Sequence, residues 1–250
     1  VVKCGVWAKG RFRGEQMLYH SERIYGIDIS KYQHKHRHRT YGIDWRNLRI
    51  TRLGHTADRN ALGAVDYPVS FVYIKSTEGL TVFNPYYTQD VRAARRYGFP
   101  VGAYHFFSTR PAMCQADYFL KKSRLRKGDL PPMLDVELSD RRIAAMGGRD
   151  VLFREMLVWL KEVGRRSGTT PIIYVSQDFV NRYMPFAPEE LKAYPVWVAR
   201  YGEYKPYVHL LYWQLSPDGR VRGIRGDVDI DVFNGSEEQF KRYLRTQTVK

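Results

Sequence analysis

Short apolar runs of strand type recur eight times along this chain, most of them separated by stretches that read as helix. In order they are YGIDIS (25–30), FVYIKS (71–76), VGAYHFF (101–107), PMLDVE (132–137), PIIYVS (171–176), PVWVAR (195–200), LLYWQL (210–215) and DVDIDV (227–232). Several are continuously apolar rather than alternating, as strands buried on both faces are. Between the fourth and fifth, Leu152, Met156, Trp159, Leu160 and Val163 fall on one helical stripe that Gly168 can close. PYYTQDVRAARRYG sets Pro85 near a helix start and Gly98 just past its end, and Ser236 with Gln239 suits a capping box for a last helix. Strands alternating with helices imply a parallel sheet, and eight of them in 250 residues imply an α/β fold, a single-domain modified (β/α)8 barrel. No helix is evident after the sixth and seventh strands, so the barrel is expected to be irregular in its last third.

The barrel is assigned to residues 25–246, preceded by a basic N-terminal arm, residues 1–24. Two segments fall outside the pattern. HKHRHR at 34–39 reads as a solvated loop, because Lys and Arg alternating with His repel a metal cation. The region from Arg49 to Asp66 is long for a simple connection, and such loops often carry function. Lys and Arg exceed Asp and Glu by 41 − 26 = 15 charges. That excess fits a polyanionic partner, whether nucleic acid, an anionic membrane or an acidic wall polymer, and equally a solvated, soluble surface. No apolar run reaches the roughly eighteen residues of a transmembrane helix. The chain begins VVKC, without methionine or a charged-then-apolar leader, as a processed start would. Cys4 and Cys114 have no zinc-type spacing and are either one disulfide or two unrelated thiols.

In a barrel of this kind functional side chains gather at the C-terminal strand ends. The first strand offers Asp28, the second Lys75 with Glu78 beyond it, and the third Tyr104 and His105. The fourth offers Asp135 and Glu137, the fifth Tyr174, the seventh Trp213 and Gln214, and the eighth Asp227, Asp229 and Asp231. Asp135 and Glu137, two apart, would share a strand face at roughly 6.5–7 Å, where like charges push their titrations apart. Carboxylates ringed by aromatics suit carbohydrate, since flat rings cover sugar faces while acids bond hydroxyls and move protons. Singly, each residue has a plainer reading: a solvated D-x-E strand end, a turn-capping Asp28, core or rim aromatics, a hydrogen-bonded core His105. The combination at successive strand ends is what points to chemistry.

GIDISKYQ, YIKSTEG, VGAYHFF, LDVE, IIYVS, YWQLS followed by G-x-x-G, and VDIDVFNGS, in this order, closely resemble glycoside hydrolase family 25, the bacterial and phage type of lysozyme, over about residues 25–240. The resemblance implies a hydrolase of the β-1,4 bond between N-acetylmuramic acid and N-acetylglucosamine in peptidoglycan, retaining through the substrate's own acetamido group, with no cofactor and no metal. Glu137 matches the family's general acid and Asp135 its partner carboxylate. Asp28 and Asp229 complete the catalytic acids, and Lys75, Glu78, Tyr104, Tyr174 and Trp213 fall in the substrate groove. Asp227 and Asp231 have no counterpart and read as strand-flanking acids. Peptidoglycan strands would be the partner, with anionic wall polymers on the basic surface and no nucleic acid. The site of action would be secreted or at the cell envelope.

The sequence departs from the family in insertions at 34–41 and 50–66, and in VFNP at 82–85 where many members have Tyr-x-Asp-Pro. These bear on substrate range. The competing readings are a wall- or polyanion-binding barrel that no longer turns over, and a metal-dependent phosphodiesterase using the same acids.

Overall fold

The structure, a computed structural model, describes residues 6–8, 11–14, 23–36, 38–55, 64–199 and 208–250. Eight strands close into a barrel: β1 (Tyr25–Ile29), β2 (Val72–Glu78), β3 (Val101–Phe106), β4 (Met133–Asp135), β5 (Ile172–Ser176), β6 (Val196–Ala199), β7 (Leu210–Arg222) and β8 (Val228–Phe233). Neighbours from β1 to β7 pair in parallel, and β8 lies antiparallel between β7 and β1. This is the expected irregularity of the last third, with a physical cause. A parallel crossover needs a dozen or more residues, whereas the short link from Arg222 to Val228 allows only a hairpin. Because β8 runs backwards, its N-terminal end meets the C-terminal ends of the other seven, so Asp229 reaches the mouth from the start of its strand.

Helices α1 (Tyr87–Arg96), α2 (Ala112–Ser123), α3 (Asp140–Ala145), α4 (Arg149–Ser167), α5 (Gln177–Arg182), α6 (Glu189–Lys192) and α7 (Glu237–Thr246) lie outside or beneath the barrel. The stripe of α4 expected from its spacing is buried, and Gly168 ends the helix at φ 68°, where a side chain would be strained. Ser236 and Gln239 form both halves of the capping box on α7.

Strand residues alternate between two apolar layers. Outward ones such as Ile27, Ile74, Leu134, Val175, Val198 and Val232 pack under the helices. Inward ones build an aromatic floor from Phe71, Tyr73, Trp197, Tyr212 and Phe233, which Phe240 of α7 closes from below. Two glycines make room for these rings. A Cβ on Gly26 would sit 2.3 Å from the Phe71 ring, and one on Gly102 would sit 2.3 Å from the Tyr73 ring.

The two unusual segments are more ordered than a loop reading suggests. Arg49–Arg52 and Ala64–Pro68 form strands, and the first of them pairs with the far end of β7. Residues 56–63 of that insertion lie outside the described residues. In HKHRHR the solvated-loop reading fails at His34, which is 1% exposed. It stacks on Tyr86, its Nε2 lies 2.7 Å from Asp90 of α1, and its Nδ1 lies 2.9 Å from the Tyr41 carbonyl. Two short pieces of the N-terminal arm, Val6–Ala8 and Arg11–Gly14, pair antiparallel. Cys4 lies outside the described residues, so its pairing with Cys114 does too; Cys114 is exposed.

Candidate active site

Two residues towards the mouth the inward side chain becomes polar on most strands, β6 excepted, where Trp197 is followed by Ala199. Gly26 gives way to Asp28, Tyr73 to Lys75, Met133 to Asp135, Ile172 to Tyr174 and Tyr212 to Gln214, while along the reversed β8 Phe233 is followed by Asp231 and then Asp229. The period of two thus delivers the acids together over an apolar floor.

Asp28 stands directly opposite Asp229 across the β1–β8 pair. Gln214 donates from Nε2 to Asp28 Oδ2 at 2.9 Å and accepts from the Tyr174 hydroxyl at 3.1 Å. Tyr104 hydrogen-bonds the same aspartate. Burial and the charge of Glu137 raise the Asp28 pKa to about 7, against the opposing hydrogen bonds from Gln214 and Tyr104. Asp229 rises to about 9, first through burial and then through repulsion by Asp28 and Glu137.

Asp135 is the last residue of β4 and is buried, whereas Glu137 lies just beyond the strand and is exposed. The two carboxyls still stand side by side as expected, with Val136 between them in the outward layer, as a buried carboxyl with a rim carboxyl above it and a hydrogen bond between the two. Burial and then the charge of Glu137 push Asp135 well above the usual carboxylate range. Loss of water around its carboxyl also raises Glu137, against the opposing pull of Lys75 and the bond from Asp135. The deeper acid accordingly holds the shared proton in the unliganded protein. Lys75 Nζ pairs with Glu78 at 2.8 Å and lies 4.3 Å from the centroid of the Phe106 ring. Asn84, in the divergent VFNP, donates to the Lys75 carbonyl at 2.8 Å and accepts from the Tyr86 N–H at 3.0 Å, tying β2 to the start of α1.

The geometry brings together Asp28, Asp135, Glu137, Asp229, Tyr104, Tyr174 and the Lys75–Glu78 pair. Trp213 is left out. Its neighbour Gln214 faces inward, so Trp213 faces outward, 2% exposed in the layer under the helices, with Arg23 over its ring at 5.2 Å. Gln214 is the member of that dipeptide inside the mouth, and strand parity with Tyr212 is the signal that identifies it. His105 faces outward too, bonded to Thr77 and Gln115, and burial lowers its pKa to about 4, as a core histidine requires.

Asp231 is no flanking acid. It points inward below Asp28 and Asp229, has no exposure, and burial keeps its pKa well above the carboxylate range. Asp227 is exposed and ion-paired with Arg220. Beside Glu137 a cleft of about 340 Å³ opens, walled by Tyr174 and by Phe179 and Tyr183, which stack at 4.9 Å.

A closed barrel whose mouth collects carboxyls of raised pKa between aromatic walls has the makings of a glycoside hydrolase. Residues 27–224 match the model of glycosyl hydrolases family 25, and the chain belongs to that family. It is 33% identical over 225 residues to the uncharacterized protein YegX of Escherichia coli O157:H7, an alignment covering 88% of this chain and 73% of that one. With lysozyme M1 of Streptomyces globisporus it shares 29% identity over 229 residues, 85% of this chain and 68% of the other. Among solved structures, the lysozyme of Streptomyces coelicolor superposes with a TM-score of 0.70 at 27% identity, covering 88% of this chain and 96% of that one.

Proposed function

We propose that this glycoside hydrolase is a muramidase, cleaving the β-1,4 bond between N-acetylmuramic acid and N-acetylglucosamine in peptidoglycan. The observation that carries the reading is the hydrogen-bonded pair of Asp135 and Glu137, both titrating high, at the mouth of a family 25 barrel. Glu137, at the rim, is the general acid. A glycan laid across the mouth strips the remaining water from Glu137, raises its pKa further and draws the shared proton outward from Asp135.

Glu137 then gives its proton to the glycosidic oxygen as the C1–O bond breaks. The carbonyl oxygen of the muramic acid's 2-acetamido group closes on C1, and Asp135, now ionised, stabilises the positive charge on that ring. Water attacks C1, Glu137 takes back a proton, and the acetamido group reopens with the original configuration retained. Asp28 and Asp229 hold the floor of this site, Tyr104 and Tyr174 bound the sugar, and the Lys75–Glu78 pair borders it. The peptidoglycan layer of a cell envelope is the place of action, and the excess of basic charge suits anionic polymers in that layer.

Mass spectrometry of fragments released from purified peptidoglycan tests the bond assignment. Reducing muramic acid ends are expected, whereas reducing glucosamine ends, or no release, would refute it.

A further inference from the structure

A group of cations lies at the end of the barrel opposite the acids. Helices α1, α2 and α4 run away from the mouth and finish on Arg95 and Arg96, Lys121 and Lys122, and Arg165 and Arg166. Cations in a last helical turn also complement the helix dipole, so these decide nothing by themselves. Arg124, Arg126 and Lys127 are different. They lie outside any helix, on the loop from α2 to β4, are exposed, and form no ion pair among the described residues.

This loop is held rigidly to its neighbours. The carboxylate of Asp129 accepts from Arg95 at 3.0 and 2.6 Å and from the Arg126 N–H at 2.7 Å. Gly128 N–H donates to the Val249 carbonyl, Val249 N–H to the Asp129 carbonyl, and Lys250 N–H to the Ser167 carbonyl. The basic loop, the 247–250 segment and the end of α4 are therefore one continuous surface.

That surface contains a cleft of about 710 Å³ lined by, among others, Lys161, Arg165, Thr170, Tyr194, Gln247 and Lys250. Within it Lys161 pairs with Glu190 and Arg165 with Glu162, both at 2.8 Å. A half-buried tyrosine ring, hydroxyl and amide groups, and cations around a cleft of this size are the composition of a site for a charged sugar.

We propose that the base of the barrel is a second binding site, for an anionic glycopolymer. A sugar unit enters the cleft beside Tyr194, and successive phosphates of the same polymer run over Arg124, Arg126 and Lys127. A lipid surface fits less well. Of the exposed large apolar residues, Tyr32, Val82, Tyr97, Met113 and Phe186, only Tyr97 follows directly on the basic end of α1, and interfacial binding needs a buried apolar face. The arrangement leaves the mouth free while the opposite end is anchored, so the enzyme is held at the wall without occupying its own groove. The proposal goes beyond the muramidase reading, and the affinities that decide it are measured without peptidoglycan, so the two stand or fall separately.

The probe is purified glycosylated poly(glycerol phosphate) teichoic acid, titrated calorimetrically against the full chain. Two variants are compared: Arg124→Gln with Arg126→Gln and Lys127→Gln, which removes the unpaired cations, and Ala193→Trp, which fills the cleft from an exposed position. Each is expected to weaken binding about tenfold or more, a loss of about 1.4 kcal/mol. Reducing-end release from polymer-free peptidoglycan should remain at the wild-type rate in both. The proposal is overturned if neither variant changes polymer affinity. It is equally overturned if phosphatidylglycerol vesicles bind as tightly as the polymer and Ala193→Trp leaves both unchanged, since a flat anionic surface would then be the ligand.

Discussion

Asp28 and Asp229 face each other across an antiparallel strand pair, and both keep their protons to higher pH in the folded protein than in the unfolded chain. From an ordinary value of 3.8 their pKa values rise to about 7 and about 9. An acid raised by folding binds more protons in the native state, so the stability it contributes at low pH is lost as pH climbs through that window. The surface carboxylates held low by basic partners, among them Asp66, Asp140 and Glu237, titrate below it. The urea midpoint should therefore fall between about pH 5 and pH 8.5, with the buried Asp135 and Asp231 acting in the same sense, and Asp229→Asn should make that slope shallower by removing one of the raised acids. A midpoint that rises over the same range, or an unchanged slope in the variant, would contradict the assignment.

Glu137 and Asp135 should respond differently to amide substitution, although both lose a carboxyl. Glu137 is exposed, so Glu137→Gln leaves the thermal midpoint within error of wild type. Loss of a general acid lowers the rate by about 100- to 10,000-fold. Asp135→Asn retains the acid but removes the carboxylate that, ionised once glycan is bound, repels ionisation of Glu137, so in the complex Glu137 gives up its proton at lower pH. The expected result is a reduced kcat with the alkaline limb of the rate profile displaced towards acid. A profile of unchanged shape would reduce Asp135 to a purely steric part.

The aromatic floor depends on glycine at two points, and Gly102 tests it. Its missing Cβ is replaced by the Tyr73 ring, and that ring is itself fixed by its hydroxyl donating to the Pro131 carbonyl at 3.1 Å. Gly102→Ala forces an overpacked interior, which costs about 1–3 kcal/mol. Denaturant unfolding measures the loss; a neutral effect would mean that the ring can withdraw without consequence.

Much of this architecture was legible because strand and helix periods differ so clearly along the chain. The eight apolar runs fall on the eight barrel strands, α4 ends where its glycine requires, and α7 begins where its capping box requires. What escaped was direction and parity. Nothing in DVDIDV tells that the strand runs backwards; the shortness of the Arg222–Val228 link does, and with it Asp231 moves from a flank to the barrel interior. Likewise a strand lettered YWQL does not declare which residue faces in, and a tryptophan is the more conspicuous candidate. Only the inward Tyr212, two positions before Gln214, settles it. His34 was misread because a string of basic residues suggests solvent, whereas Asp90, more than fifty residues on, supplies the buried partner.

Gln214 carries the last test, because it joins Tyr174, an aromatic of the mouth, to Asp28, an acid of the cluster. Its amide N–H donation lowers the pKa of Asp28, and its carbonyl oxygen accepts from Tyr174. Gln214→Leu keeps the bulk and removes both bonds. Asp28 should then titrate above its present value of about 7, since burial and Glu137 are no longer opposed by that donor. Without the Gln214 acceptor the Tyr174 ring would be held less firmly at the edge of the groove, so KM should rise along with the shift. Carbon-13 NMR of the aspartate carboxyls and steady-state kinetics separate the two effects. An upward Asp28 shift with unchanged KM would assign Gln214 to electrostatics alone; a raised KM with no shift would make it a groove residue and would contradict the hydrogen bond to Asp28.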